Sequence, residues 1–137
     1  MGCNIHGYLE VREYPDSKTP SWKATYEIQY DRSYRFYAVL AGVRNGTVLQ
    51  PISKPKGLPH DVSRGAKYES EQMGRDGHSH SYLNAQELRD YDWTRPIGDQ
   101  PIIEQIPVVH RALLLLVRYC AKHYGEENVR IVFWFDN

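Results

Sequence analysis

The chain has two cysteines in 137 residues, Cys3 and Cys120, too few for a disulfide framework. It lacks long hydrophobic runs: the longest, residues 112–117, is far too short to span a membrane. It also lacks a basic start followed by an apolar stretch, so the expectation is a chain without a secretory leader, held in the cytoplasm with reduced thiols. Excess charge of either sign is missing, with 17 Lys+Arg against 17 Asp+Glu. Phosphate neutralisation drives binding to nucleic-acid backbones, so a neutral chain argues against sequence-independent nucleic-acid binding. A local cluster of cations can still hold a small phosphorylated ligand. Three catalytic signatures are absent as well: Gly-x-Ser-x-Gly, His-Glu-x-x-His and the P-loop.

What is present suits one domain. With 41% hydrophobic and 25% charged residues, the chain is long enough to bury a core without disulfides or a structural metal. Eleven tyrosines are many for this length. An apolar body with a polar tip suits sheet faces, pocket walls and interfaces alike.

Residues 3–14 alternate, with Ile5, Gly7, Leu9 and Val11 on one side and His6, Tyr8, Glu10 and Arg12 on the other, which predicts a half-buried strand. After turn residues at 15–20, residues 22–30 alternate again and complete a hairpin. Asp31 is the expected N-cap of a helix over 32–43 with Phe36, Leu40 and Val43 inward, stopped at Asn45-Gly46. Residues 47–61 carry three prolines and a glycine and predict irregular structure. Asp61 is the expected cap of a weak helix over 62–73. Asn84-Ala85-Gln86-Glu87 is a capping-box pattern opening a short helix over 85–91. Pro107 opens the strongest helix, to about 124, closed by Gly125, with Val109, Ala112, Leu113, Leu116 and Cys120 as its inward stripe. Residues 129–135 are too β-branched and aromatic for anything but a strand. The order predicts an α+β fold: a small, mainly antiparallel sheet, built from the N-terminal hairpin and the C-terminal strand, with helices packed on one face.

The segment Asp76-Gly77-His78-Ser79-His80-Ser81 is the most distinctive. In extended backbone, residues two apart share a side, so His78 and His80 would present two imidazoles to one point. Cys3 and His6 could join them as a Cys-His₃ zinc set, with Asp76 or His60 as substitutes. That set requires the chain to bend between Cys3 and His6, because strand positions three apart face opposite ways. The structural alternative leaves both histidines hydrogen-bonded or solvated and Cys3 simply buried.

Several blocks resemble an uncharacterised family of small phage and prophage proteins. They are Cys3-Asn4-Ile5-His6, Asp31-Arg32-Ser33-Tyr34, Leu40-Ala41-Gly42-Val43-Arg44-Asn45, the run from Pro55 to Val62, and Asp76 to Leu83, spanning roughly residues 3–93. Asn4 departs from the aspartate typical of that family. The resemblance implies a phage-encoded protein working in the host cytoplasm on a host process, and a pocket for a small ligand adds sequestration of a host defence signal as the expected role.

The residues themselves favour a binding protein over an enzyme. Arg32, Arg35, Arg44 and Lys56 supply charge for a phosphorylated or nucleotide-like ligand, and arginine suits bidentate phosphate contacts. Tyr34 offers stacking. His60, Asp61, His78 and His80 offer polar contacts, and Gly57 lets backbone N–H groups approach. Two alternatives stand beside this reading. One is a metal-dependent hydrolase built on Asp76, His78 and His80. The other is an inhibitor that binds a host protein through its tyrosine-rich surface without any small ligand. Self-association is compatible with all three.

Overall fold

The computed structural model describes residues 2–18, 21–46 and 49–136. In chain order the elements are β1 (Ile5–Val11), β2 (Lys23–Glu27), α1 (Tyr34–Ala41), α2 (Arg64–Met73), β3 (His78–Asn84), α3 (Ala85–Asp90), β4 (Pro96–Ile97), β5 (Gln100–Pro101), α4 (Val108–Tyr124) and β6 (Val129–Phe135). Short 3₁₀ turns lie at Gly74–Asp76, Ile102–Gln105 and Glu126–Asn128. The main sheet is antiparallel in the order β2-β1-β6-β3, and β4 and β5 form a separate two-residue hairpin. This is the α+β class that the pattern of elements predicts.

β6 is central because every residue of VRIVFWF can be buried. Its odd positions, Val129, Ile131, Phe133 and Phe135, join Ile5, Leu9 and Leu83 in the main core. Helix α1 packs there through Phe36, Tyr37 and Leu40, α3 through Leu88, and α4 through Leu113, Val117 and Cys120. The even positions Val132 and Trp134 face the other side. There α2 covers them with Ala66 and Met73, aided by Leu58 and Val62. Thus three helices pack on one face as expected, and α2 adds a thin second layer on the other. Its sparse apolar content, Ala66 and Met73 among charged residues, suffices because it covers only a narrow strip.

Helix ends follow side-chain chemistry closely. α1 is capped by Ser33 rather than Asp31: the hydroxyl accepts from the Phe36 N–H at 3.2 Å. It stops at Gly42, whose left-handed φ of 73° is open to glycine without strain, so Asn45-Gly46 falls beyond it. Likewise α2 is capped by Ser63, not Asp61, which is drawn away to Arg130. The capping box of α3 forms as expected, with Asn84 and Glu87 exchanging side-chain-to-backbone bonds.

On α4, Leu113 and Cys120 are buried as expected, but His110 and Val117 take the places of Val109 and Leu116, leaving Val109 and Ala112 outward. His110 is fully buried, stacks on Phe36 with centroids 4.4 Å apart, and places Nε2 3.1 Å from the Gln29 carbonyl. Nε2–H donates there, so Nδ1 is left as an acceptor unpaired among the described residues. Burial pushes the His110 pKa below 6.5, only partly offset by the Gln29 hydrogen bond and Asp31. The unfolded chain then binds the proton more readily. Stability is full above about pH 6.5 and falls as pH drops toward the folded-state pKa. Melting temperatures across pH 7.5 to 5 should decline, and His110→Gln should flatten that decline. An unchanged slope in the variant would contradict this assignment.

Candidate functional site

The ends of β1, β3 and β6 that meet at His6, His78 and Phe135 form one end of the sheet, and chemistry-bearing residues gather there. His6 lies directly opposite Trp134 in the β1–β6 register. Its imidazole stacks on the indole with centroids 6.3 Å apart and planes 17° apart. His80 stacks on the other flank of the same indole at 6.2 Å and 19°. Trp134 is fully buried, and its Nε1–H has no acceptor among the described residues.

His6 is held by Asp136, with Nε2 2.8 Å from the carboxylate and both side chains about one quarter exposed. Asp136 also accepts from the Asn4 N–H at 2.9 Å. Burial alone would raise the Asp136 pKa, but the His6 and Asn4 hydrogen bonds outweigh it and hold the carboxyl below 3.8. Asn4 continues the line outward: its side-chain oxygen accepts from Arg32 Nε at 3.1 Å. The result is a continuous polar rim, Arg32–Asn4–Asp136–His6, ending on the indole. Asn4 is the donor and acceptor that joins these groups, so an aspartate there would place two carboxylates side by side.

The segment around His78 departs from a regular strand. His78 pairs with Phe135 and Ser81 with Phe133, so Ser79 and His80 together oppose Trp134. One residue is therefore extra, a β-bulge, and Ser79 takes a left-handed φ of 55°. Because the bulge breaks the two-residue alternation, His78 lies by Phe135 and His80 by Trp134. Phe135 and Trp134 face opposite sides of the sheet. The two imidazoles thus do not converge on one point. His78 Nδ1 is 2.9 Å from the Ser79 hydroxyl, and its Nε2 is buried without a partner among the described residues. Burial, followed by the charge of His78, lowers the His80 pKa below 6.5, which keeps that ring neutral at pH 7.

The proposed zinc set is not assembled. Cys3 is fully buried on the α1 side, with its N–H donating to the Tyr34 hydroxyl at 3.2 Å, while His6 faces the opposite side of β1. Burial pushes the Cys3 thiol up, against the pull of Arg44. Asp76 is exposed in the 3₁₀ turn. Among the described residues no three His, Cys, Asp or Glu are grouped so as to hold a metal ion.

Of the expected ligand contacts, Arg32, Tyr34, Arg44, His78 and His80 come to this end of the sheet. Arg44 lies over the Tyr34 ring, 5.3 Å from its centroid, and has a left-handed φ of 53°. Arg35 is half-buried on α1. The loop of residues 55–58 is docked on β3, with the Gly57 N–H donating to the His80 carbonyl and the Lys56 N–H to Ser81 Oγ. The Lys56 ammonium turns away, to Glu87 at 2.7 Å and over the Tyr82 ring. Asp61 lies toward the Arg130 end, where it accepts from Arg130 and from Trp22 Nε1. Burial would raise its pKa, but the Arg130 contacts win and lower it. His60 is exposed beside it.

Sequence reasoning passed over Asp136 and Trp134 as site residues. The available signal was the strand itself: alternation from Phe133 and Phe135 puts Trp134 on the His6 side. No helix among the described residues is long and apolar enough to cross a membrane. Comparison of the chain with protein-family models, with curated proteins and with solved structures gave no match.

Proposed function

We propose that the protein is a small binding protein whose ligand is phosphorylated or nucleotide-like, seated at the His6–Trp134–His80 end of the sheet. One observation carries the reading. The non-glycine residues with left-handed backbone among those described, Arg44 and Ser79, both lie at this end, Arg44 over the Tyr34 ring and Ser79 between His78 and His80. Strained backbone persists only where surrounding structure enforces it, and such positions cluster at ligand sites. Arg32 and Arg44 supply positive charge for phosphate, His6 and His80, which flank the same indole, supply ring nitrogens, and Tyr34 offers an aromatic face beside Arg44.

A neutral His80 and a carboxylate-held His6 could also move protons. The hydrolase reading is metal-dependent, and among the described residues no three His, Cys, Asp or Glu are grouped to hold a metal ion at this point, so retention of the ligand fits better than turnover. Retention of a host signal in the host cytoplasm is the role in keeping with the phage-family resemblance.

The test is thermal unfolding with AMP, ATP and inorganic pyrophosphate. A ligand at about 100 times its Kd adds about 2.7 kcal/mol, which raises the melting temperature by roughly 10 °C. Arg32→Gln and His80→Gln should each reduce that shift, and the bound molecule should be recovered intact on denaturation. No shift at large excess of all three compounds would remove the proposal, and recovery of a cleaved product would replace binding with hydrolysis.

A further inference from the structure

Away from the sheet end, α3, α4 and the turn at Ile102–Gln105 enclose a groove of about 660 Å³, within the range of sites for small organic ligands. Its wall is apolar: Leu88, Trp93, Leu114 and Leu115 line it. Leu115 is 63% exposed, which is unusual for a leucine on a helix that packs a core. Cations border this apolar space. Arg111, Arg118 and Lys122 all line it from α4, a helix without a single acidic residue. Arg89 lies there too, already paired with Glu126 and Asp90. Arg118 and Lys122 have no ion-pair partner among the described residues. Arg111 itself lines the groove, and its Nε has no acceptor among the described residues. A ligand carboxylate meeting Arg111 from the groove would give the guanidinium an anionic partner that no described residue supplies.

These features select a ligand with an apolar body and one anionic head. A second copy of the chain fits poorly, because α4 against α4 would set cations against cations. A highly charged polyphosphate would leave the leucine wall and Trp93 uncovered. We propose that the groove binds an amphiphilic carboxylate of the fatty-acid type, its alkyl chain along Leu88, Leu114 and Trp93 and its carboxylate on Arg111. The planar carboxylate matches the guanidinium fork.

Dodecanoate, below its micelle concentration, is the probe, with dodecanol as the uncharged counterpart. Calorimetric titration of the whole protein should show saturable binding of dodecanoate, with Trp93→Phe removing the accompanying change in indole emission. Arg111→Gln should weaken dodecanoate about tenfold while leaving dodecanol unchanged. Leu115→Asp, at an exposed position that folding does not depend on, should weaken both. The proposal is overturned if dodecanoate fails to bind, or if Arg111→Gln and Leu115→Asp both bind it as the parent does. It is equally overturned if a Leu/Glu amphipathic helical peptide saturates the groove and dodecanoate does not, since the occupant is then a protein segment.

Discussion

Replacing Arg130 with methionine is expected to destabilise the protein by about 3–5 kcal/mol, as removal of one partner of a buried ion pair does. Its guanidinium is 7% exposed and its partner Glu10 is fully buried, with Nε 2.7 Å from the carboxylate. The other Glu10 oxygen accepts from the Ser63 N–H at 2.9 Å, which fixes the start of α2 on the sheet. Arg130 also donates to Asp61 and lies over the Trp22 ring, 3.8 Å from its centroid. Truncation therefore strands a buried carboxylate and unpins α2 at once. Such a loss is a large part of the roughly 5–15 kcal/mol that separates folded from unfolded domains. Urea unfolding of Arg130→Met, Glu10→Met and the double variant would separate the contributions. The double variant should regain part of the loss, because no fully buried unpaired charge remains, but not all, because Ser63 N–H loses its acceptor and the part-exposed Asp61 its cation. A loss under about 1 kcal/mol in Arg130→Met, typical of a solvated pair, would contradict the buried-pair assignment.

Gly7→Ala is the second large effect. Gly7 has a φ of 151° and sits opposite Phe133. A Cβ there would fall 2.0 Å from the Val132 carbonyl oxygen and 2.8 Å from Phe133 Cα. Both are backbone of the central strand, so neither can swing aside. β1 would have to leave β6, and we expect a loss of about 4 kcal/mol or outright failure to fold. The same displacement would lift His6 from Trp134 and Asp136. Gly46→Ala serves as the control: its Cβ meets nothing within 4 Å, so a change of no more than about 0.5 kcal/mol is expected. Equal stability of the two variants, measured by chemical denaturation, would refute the close-approach argument.

Much of the fold could be read from periodicity, and the reasons are local. The alternation of β1, the β-branched and aromatic run of β6, the Asn84–Glu87 box and the Pro107-to-Gly125 helix each depend on residues within a few positions of one another. What escaped the sequence depends on partners far away. His110 replaces Val109 in the buried stripe because Phe36 and the Gln29 carbonyl, some 74 and 81 positions earlier, receive it. Asp61 does not cap α2 because Arg130 competes for it. The site was half legible. Arg32, Tyr34, Arg44, His6, His78 and His80 do reach one end of the sheet, yet the bulge at Ser79 separates the two imidazoles that strict alternation would unite. A bulge is set by the partner strand, and no feature of Asp-Gly-His-Ser-His-Ser alone announces one. Asp136 and Trp134, which complete the rim, acquire their roles only once β6 is known to lie beside both β1 and β3.

That central position of β6 also orders events during synthesis. β1 and β3 are its two neighbours, and neither can be paired on that side until residues 129–135 have been made. Throughout translation of the preceding chain, both strands keep an open edge, and the apolar side chains that will face β6's layer stay uncovered. Open edges of this kind recruit other strands. A nascent or prematurely terminated chain lacking β6 would therefore depend on chaperones and be prone to aggregate.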